Sequence, residues 1–311
     1  MMPPDLRSIW IAQDPQSLRL LELARKVAQT PSTVLIRGES GTGKELLAQI
    51  LHQSRPQADQ PWVKIDCASL PMELLESELF GYEKGAFTGA DRAKPGRLQL
   101  AGHGTLVLDE IAALSLGLQA KLLRIIEEKS FERLGGHHVQ HIHARIVALT
   151  NLDLEQAVAQ HNFREDLYYR LNVVPIQIPP LRQRRADLEP LIRHFLERLG
   201  EIHRRPDLRL ADEALRALRS YSYPGNVREL RNLLERALIH SDGPVLQLTD
   251  FPPHITSETG AHPTERSLEE VEREHIAAVL HRLRGHKSDA ARVLGISRKT
   301  LLDKRKRYAL D

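Results

Sequence analysis

The sequence has little of several features that mark common protein classes. It contains one cysteine, Cys67, in 311 residues, which excludes a disulfide framework and a cysteine-rich zinc fold. It has no apolar run near the roughly 18 residues that span a membrane. Its first ten residues lack the basic and then apolar pattern of a signal peptide. The net charge of +3 is too small to identify a nucleic-acid partner by itself. We therefore expect a cytoplasmic protein with no membrane contact.

Short apolar strands alternate with helical runs over the first half of the chain. The predicted strands are Thr33–Ile36, Pro61–Ala68, Thr105–Glu110 and Ala144–Thr150, and helical periodicity fills the segments between them. Strands that alternate with helices predict an α/β domain with a parallel sheet between helices. The 41% of hydrophobic residues suffices for a packed core.

The helical periodicity after residue 186 has no strand signal and predicts an all-α subdomain. The next segment is polar with three prolines, which is typical of a linker. We predict five parts: a tail at 1–13, an α/β subdomain at 14–180, a helical lid at 181–250, a linker at 251–266 and a C-terminal all-α domain at 267–311. Because about a dozen residues precede the α/β part, we expect no N-terminal regulatory domain.

A glycine-rich segment, GESGTGKE, follows the first strand and precedes a helix. It fits G-x-x-x-x-G-K, in which inward backbone N–H groups and a helix N-terminus bind phosphate. The lysine is placed to reach the β and γ phosphates. Glu45 stands where Ser or Thr usually binds Mg²⁺, so the metal must depend on other groups. The predicted nucleotide contacts are Gly38, Glu39, Ser40, Gly41, Thr42, Gly43, Lys44 and Glu45.

Two carboxylates, Asp109 and Glu110, end the strand TLVLDE. Ligands of α/β folds bind at the carboxyl edge of the sheet. Asp109 is predicted to hold Mg²⁺, directly or through water, and Glu110 to act as the base that orients the attacking water. With the phosphate loop they predict hydrolysis of a nucleoside triphosphate.

Five segments, taken together and in order, resemble the AAA+ domain of bacterial enhancer-binding proteins that activate sigma-54 RNA polymerase. They are GESGTGKE, ELFGYEKGAFTGA, GTLVLDE, FREDLYYRLNV and YPGNVREL. The resemblance implies an AAA+ P-loop fold with an all-α lid, ATP and Mg²⁺ as cofactors, and a hexameric ring when active.

The segment GAFTGA is the most specific element of this resemblance. Its glycines free the backbone for a protruding loop, and an exposed aromatic at the tip indicates a partner surface. The alternative is a hairpin whose phenylalanine packs against its own domain. By resemblance the loop contacts sigma-54, with Phe87 and Thr88 most direct. The six residues are Gly85, Ala86, Phe87, Thr88, Gly89 and Ala90.

The resemblance also assigns polar residues around the nucleotide. It implies that Arg164, Arg170 or both act as arginine fingers across a ring interface, although either could instead form a salt bridge with Glu165 or Asp166. It makes Arg228 the sensor of the γ-phosphate in the lid. Asn151, with Thr150 before it, matches the polar sensor at the sheet edge.

One residue departs from the family pattern. Asp66 stands where the family usually has Asn, whose amide holds the catalytic glutamate in an inactive pose. We expect the Asp66 carboxylate to repel Glu110, and hydrolysis to be less tightly coupled to partner binding.

The C-terminal segment Ala290–Tyr308 has the pattern of a helix–turn–helix. Gly295 suits the turn, and Leu301 suits the inner face of the second helix. Six basic residues against one aspartate in Ser297–Tyr308 indicate attraction to DNA phosphates. The segment resembles the Fis-type domain of these activators, which binds enhancer DNA as a dimer, and the stripe from Leu268 to Leu283 is a candidate dimer interface. The predicted DNA contacts are Ser297, Arg298, Lys299, Thr300, Lys304 and Arg305.

The sequence therefore predicts a sigma-54-dependent activator that binds enhancer DNA and uses ATP hydrolysis to open the closed promoter complex. A trans-acting regulatory protein is a possible further partner. Two alternatives stay open at this point: a DNA-binding regulator that works without sigma-54, and a general AAA+ DNA remodeller such as a replication initiator.

Overall fold

The chain divides into two compact units, Met1–Thr256 and Ser257–Asp311. The computed structural model describes residues 10–256, 268–283 and 287–308. Residues 1–9 of the predicted tail and residues 257–266 of the predicted linker therefore lie outside the described residues.

A five-stranded parallel sheet forms the centre of the first unit, as the alternation of strands and helices predicts. Its order is β2-β5-β8-β1-β9, and every pairing is parallel. Because Asp66 is the register partner of Asp109, and Arg37 of Thr150, the strands end together at one edge. The strands are β1 Val34–Arg37, β2 Trp62–Asp66, β3 Gly81–Tyr82, β4 Lys94–Pro95, β5 Thr105–Asp109, β6 Ser130–Glu132, β7 Val139–His141, β8 Arg145–Thr150 and β9 Val174–Gln177.

Helices cover both faces of this sheet. Leu35 of β1 packs in the core on one face, whereas its neighbours Val34 and Ile36 pack in the core on the other. This alternation buries all three side chains completely, which explains why the strand is an unbroken apolar run. The helices of this part are α1 Pro15–Ala28, α2 Lys44–Gln53, α3 Met72–Phe80, α4 Arg97–Leu100, α5 Leu116–Glu128, α6 Leu154–Ala159 and α7 Glu165–Leu171.

Two small antiparallel pairs, β3 with β4 and β6 with β7, lie outside the main sheet. Periodicity did not predict them because each strand has only two or three residues. The β3–β4 pair forms the base of the Gly85–Ala90 loop. Glu83 N–H donates to Leu134 O at 3.0 Å, which ties that base to the β6–β7 connection.

The lid is helical, as predicted, and has its own apolar core that includes Leu191, Leu230 and Leu234. Its helices are α8 Leu188–Ile202, α9 Asp212–Ser220, α10 Asn226–His240 and α11 Pro253–Thr256. One detail differs from the expectation of helices alone: β10 Arg209–Leu210 pairs in parallel with β11 Val245–Leu246. Two residues are too few to leave a strand signal in the sequence.

The second unit has three described helices around a small core of Ile276, Val279, Ala290, Ala291 and Leu301. They are α12 Leu268–Arg282, α13 Lys287–Val293 and α14 Arg298–Arg307. Ile276 and Val279 belong to the stripe that was a candidate dimer interface. They are buried within their own unit instead, so they are not available as an exposed dimer surface.

Within the described residues, no helix is both long enough and apolar enough to cross a membrane.

Candidate functional site

The phosphate loop connects β1 to α2, as the motif predicts. Gly41 and Gly43 have φ of 78° and 104°, a region that L side chains rarely adopt, so glycine is needed at both turns. The Lys44 side chain folds back over the loop, and its Nζ donates to Gly38 O at 2.9 Å and to Glu39 O at 3.3 Å. The loop is thus held by its own lysine.

A cavity of about 490 Å³ opens beside this loop, between the sheet edge and the lid. Apolar side chains from both parts line one side, including Trp10, Ile11, Leu191 and Phe195. The phosphate loop and the carboxylates of β5 line the other side. An apolar end and an anion-binding end fit a nucleotide base and its phosphates.

Glu110 and Asp109 both reach this cavity from the end of β5. Glu110 has φ 50°, and its Oε1 lies 3.9 Å from Lys44 Nζ. The other oxygen, Oε2, accepts a hydrogen bond from the backbone N–H of Asn151 at 3.3 Å. Burial lowers the pKa of Lys44, and the charges of Glu110 and Asp109 oppose that shift. The predicted base, lysine and sheet-edge sensor are therefore neighbours.

Asp109 and Glu45 converge on one ammonium group. Lys64 Nζ lies 2.8 Å from Asp109 Oδ2 and 2.6 Å from Glu45 Oε2. Two carboxylates that already share one cation are oxygen donors of the kind that Mg²⁺ binds. These residues would therefore suit a divalent metal beside a nucleotide, and Glu45 would offer an oxygen in place of the usual hydroxyl.

Asp66, which we expected to repel Glu110, is bonded to a backbone group of its own turn. Its Oδ1 accepts the backbone N–H of Ala68 at 2.9 Å, which closes a local turn after β2. A short side chain bonds readily to a backbone group two residues ahead. The carboxylate is therefore held in its own turn.

The lid closes over the tip of the phosphate loop through Arg228 and Asn226. Arg228 Nη1 donates to Ser40 Oγ at 2.8 Å, so the arginine predicted as the sensor contacts the phosphate loop. Asn226, which the sequence did not single out, is fully buried. Its Nδ2 donates to Glu39 Oε2 at 3.0 Å and to Ser40 O at 3.1 Å.

Two arginines near residue 183 also hold the loop and were missed. Arg182 donates to both carboxylate oxygens of Glu39, at 2.8 and 2.5 Å, and this pairing holds the pKa of Glu39 below its usual range. Arg184 is buried, donates to Thr42 O at 2.7 Å, and lies 5.5 Å from the centre of the Trp10 ring. Their spacing follows no motif, so the only signal was a basic cluster after Pro180.

The two predicted finger arginines do not line this cavity. Arg164 is an exposed residue at the start of α7 and pairs with Asp166 at 2.7 Å, which is the salt bridge considered as the alternative. Arg170, at the other end of the helix, is also exposed. Any contact with a nucleotide would therefore involve a neighbouring subunit.

The Gly85–Ala90 loop protrudes from the first unit. Gly85 and Gly89 have φ of 84° and 96°, and a Cβ at either position would meet nothing within 4 Å. Phe87 is 46% exposed, with its ring edge-on to Tyr82 at 4.9 Å. The Phe87 ring is thus partly packed against Tyr82 and partly exposed, between the two alternatives that the sequence left open.

The basic helix α14 begins at a capped N-terminus. Ser297 Oγ accepts the Thr300 N–H at 3.0 Å, and Arg298 and Lys299 are exposed beside it. Lys304 instead pairs with Glu272 of α12 at 2.6 Å. The predicted DNA-contacting residues therefore differ in availability, with the first turn the most open.

The parallel sheet, the phosphate loop, the paired carboxylates and the lid arginine define a P-loop ATPase of the AAA+ class. Family comparisons agree. The chain matches the description "Sigma-54 interaction domain" over residues 10–177, "AAA+ ATPase lid domain" over 182–268 and "Bacterial regulatory protein, Fis family" over 267–308.

Individual proteins extend the match along the chain. The regulatory protein AtoC of Escherichia coli is 42% identical over 97% of this chain and 68% of its own length. The transcriptional regulatory protein ZraR of Klebsiella oxytoca is 46% identical over 94% of this chain and 68% of its own length. Among solved structures, NtrX from Brucella abortus in complex with ADP has a TM-score of 0.76 at 33% identity, over 98% of this chain and 71% of that one.

The chain therefore belongs to the sigma-54 interaction domain family, and it is an ATP-dependent transcription activator with a Fis-type helix–turn–helix. ATP is its nucleotide, as the resemblance implied. Sigma-54 RNA polymerase and DNA are the partners of its domains.

Proposed function

We propose that this chain hydrolyses Mg²⁺–ATP in the cleft between sheet and lid and uses the resulting movement to push the Gly85–Ala90 loop against sigma-54. The observation that carries the proposal is that one cavity brings together Lys44, Glu110 and the lid residue Arg228. The nucleotide base packs against Trp10 and the apolar lid residues, while the phosphates of the nucleotide lie along the phosphate loop.

Glu110 acts as the general base of ATP hydrolysis in this proposal. Its Oε2 is oriented by the Asn151 N–H, and its Oε1 faces Lys44. The carboxylate accepts the proton of the attacking water, while Lys44 and Arg228 stabilise the charge that develops on the phosphoryl oxygens. Asp109 and Glu45 would hold Mg²⁺, which supplies further neutralisation of that charge.

The chain itself connects this site to the loop. β2, which carries Lys64 beside Asp109, leads through the Asp66 turn into α3, and α3 ends where β3 and the loop begin. A change at the carboxylates on ATP cleavage is therefore passed to the loop over one helix. This short path supports transmission of nucleotide state to Phe87.

Ring formation completes the site in the proposal. The active form is a hexameric ring in which Arg164 and Arg170 reach the nucleotide of a neighbour, because neither lines its own cavity. On DNA the C-terminal unit acts as a dimer on paired enhancer half-sites, with the first turn of α14 reading bases and Lys304 and Arg305 nearer phosphate. A trans-acting protein would supply regulation.

Mixing two inactive variants tests whether the arginine fingers act between subunits. Arg170→Ala and Glu110→Gln should each hydrolyse little ATP alone. Mixed in equal amounts, they should recover up to about one quarter of the wild-type rate, because some sites then combine an intact Glu110 with an intact neighbouring arginine. A mixture as inactive as its parts would contradict action between subunits.

An open-complex assay on a sigma-54 promoter tests the whole proposal. Phe87→Ala should abolish open complexes while ATP hydrolysis stays near wild type. Leu100→Ala is the matched control, because Leu100 is an equally exposed apolar residue, at 48%, outside the loop. Open complexes formed equally well by Phe87→Ala would contradict the proposal and favour a remodeller or regulator that acts without sigma-54.

A further inference from the structure

Lys64 lies at the point where the proposed metal ligands meet. Its ammonium is shared by Glu45 Oε2 at 2.6 Å and Asp109 Oδ2 at 2.8 Å. Glu45 comes from the first turn of α2 and Asp109 from the end of β5, so the two carboxylates reach this ammonium from separate elements. The side chain is held, since both of its ion pairs are within hydrogen-bond distance.

We propose that Lys64 is an internal cation that competes with Mg²⁺ for Asp109 and Glu45, and that it must leave these carboxylates when the metal enters with ATP. This inference rests on the proposed function, because it takes Asp109 as a metal ligand. Lys64 is thus a positioning residue that makes metal binding depend on nucleotide.

The phosphate-loop lysine does not fill this place. Lys44 Nζ is bonded to Gly38 O and Glu39 O and lies 3.9 Å from Glu110. The site therefore separates two positive charges, with Lys44 on the phosphate side and Lys64 on the carboxylate side. Without Lys64, Asp109 and Glu45 would be two carboxylates with no shared cation.

The Lys64 ammonium is positively charged and pairs with both carboxylates. An ammonium a few ångströms from a divalent ion repels it strongly in a partly buried site. A metal ion alone therefore competes poorly, whereas the negative phosphates of a nucleotide shift the balance toward the metal.

Mn²⁺ binding to the nucleotide-free full chain, followed by electron paramagnetic resonance, tests this inference without measuring activity. Lys64→Met should lower the Kd for Mn²⁺ at least about tenfold, because it frees two carboxylates and removes a like charge. Lys64→Arg keeps the charge and should stay near wild type. Lys121→Met is the control, since Lys121 forms a surface ion pair with Glu76 on another face of the domain. Circular dichroism confirms that each variant is folded.

The double variant Lys64→Met/Asp109→Asn separates the two levels of the proposal. If the gain of Lys64→Met disappears in the double variant, both the internal cation and the Asp109 ligand are supported. A Lys64→Met chain that binds Mn²⁺ no more tightly than wild type overturns the role of Lys64 and leaves Asp109 as it was. A gain that survives Asp109→Asn places the metal elsewhere, which overturns both.

Discussion

Asn226 joins the lid to the phosphate loop, and its replacement by alanine has consequences that can be worked out from its contacts. Its side chain is fully buried. Its Nδ2 donates to Glu39 Oε2, Ser40 O and Pro224 O, and its Oδ1 accepts the Leu181 N–H at 2.8 Å. Its backbone has φ 54°, which asparagine tolerates better than alanine.

The alanine variant should lose stability through two independent effects. A buried Leu181 N–H left without an acceptor costs about 1–3 kcal/mol. Alanine in the left-handed region costs about 1–2 kcal/mol more. The two costs together, about 3 kcal/mol, correspond to a fall in Tm of about 6–12 °C for a unit of this size.

Thermal unfolding of the nucleotide-free chain by circular dichroism measures this loss. Asn226→Gly is the matched variant, because glycine removes the same bonds without the backbone cost, so its Tm should lie between those of wild type and Asn226→Ala. ADP should also bind more weakly to both variants, since Glu39 and Ser40 lose their lid partner. Melting of Asn226→Ala within about 1 °C of wild type would refute the reasoning.

Three further outcomes follow from buried polar groups. The Arg145 guanidinium donates to the carbonyls of Val27, Ala28 and Ser32. Arg145→Met should therefore lower the free energy of unfolding in urea by about 2–3 kcal/mol, and an unchanged unfolding midpoint would contradict this. Burial lowers the pKa of His52, so its stabilising effect is complete above about pH 6.5 and is lost as pH falls through the folded pKa. His52→Gln should flatten the fall in stability at acid pH, and an unchanged slope would contradict this. Burial raises the pKa of the Cys67 thiol to about 12, so a thiol reagent should label it only in denaturant, and rapid labelling of the native chain would show an open site.

The elements of the α/β part were predictable because each carries its own period. Val34–Ile36 and Thr105–Leu108 are short apolar runs bounded by turns, and both are buried strands. The phosphate loop, Asp109 and Glu110 were identified for the same reason, since their chemistry depends on local order along the chain. Strands of two residues are too short to show a period in the sequence. The contacts at the boundary of the lid leave no local pattern either.

Pairing between distant elements was not predictable, and Lys64 illustrates why. Alternation along β2 places Lys64 and Asp66 on one face, which the sequence alone suggests. Lys64 can contact Asp109 only because β2 lies directly beside β5. It can contact Glu45 only because α2 begins next to both strands. Those neighbours are set by the sheet order, which spacing does not encode.

The same limit explains the outcome at Asp66. The family pattern, in which an asparagine at this position holds the catalytic glutamate, led us to expect repulsion between Asp66 and Glu110. The turn after β2 offers the nearer Ala68 N–H, and the carboxylate bonds there instead. An asparagine at residue 66 would have the same acceptor for that N–H. Asp66→Asn can therefore change coupling only if its Nδ2 donates to Glu110, and equal ATPase rates for the natural chain and Asp66→Asn, measured with and without sigma-54, would show that it does not.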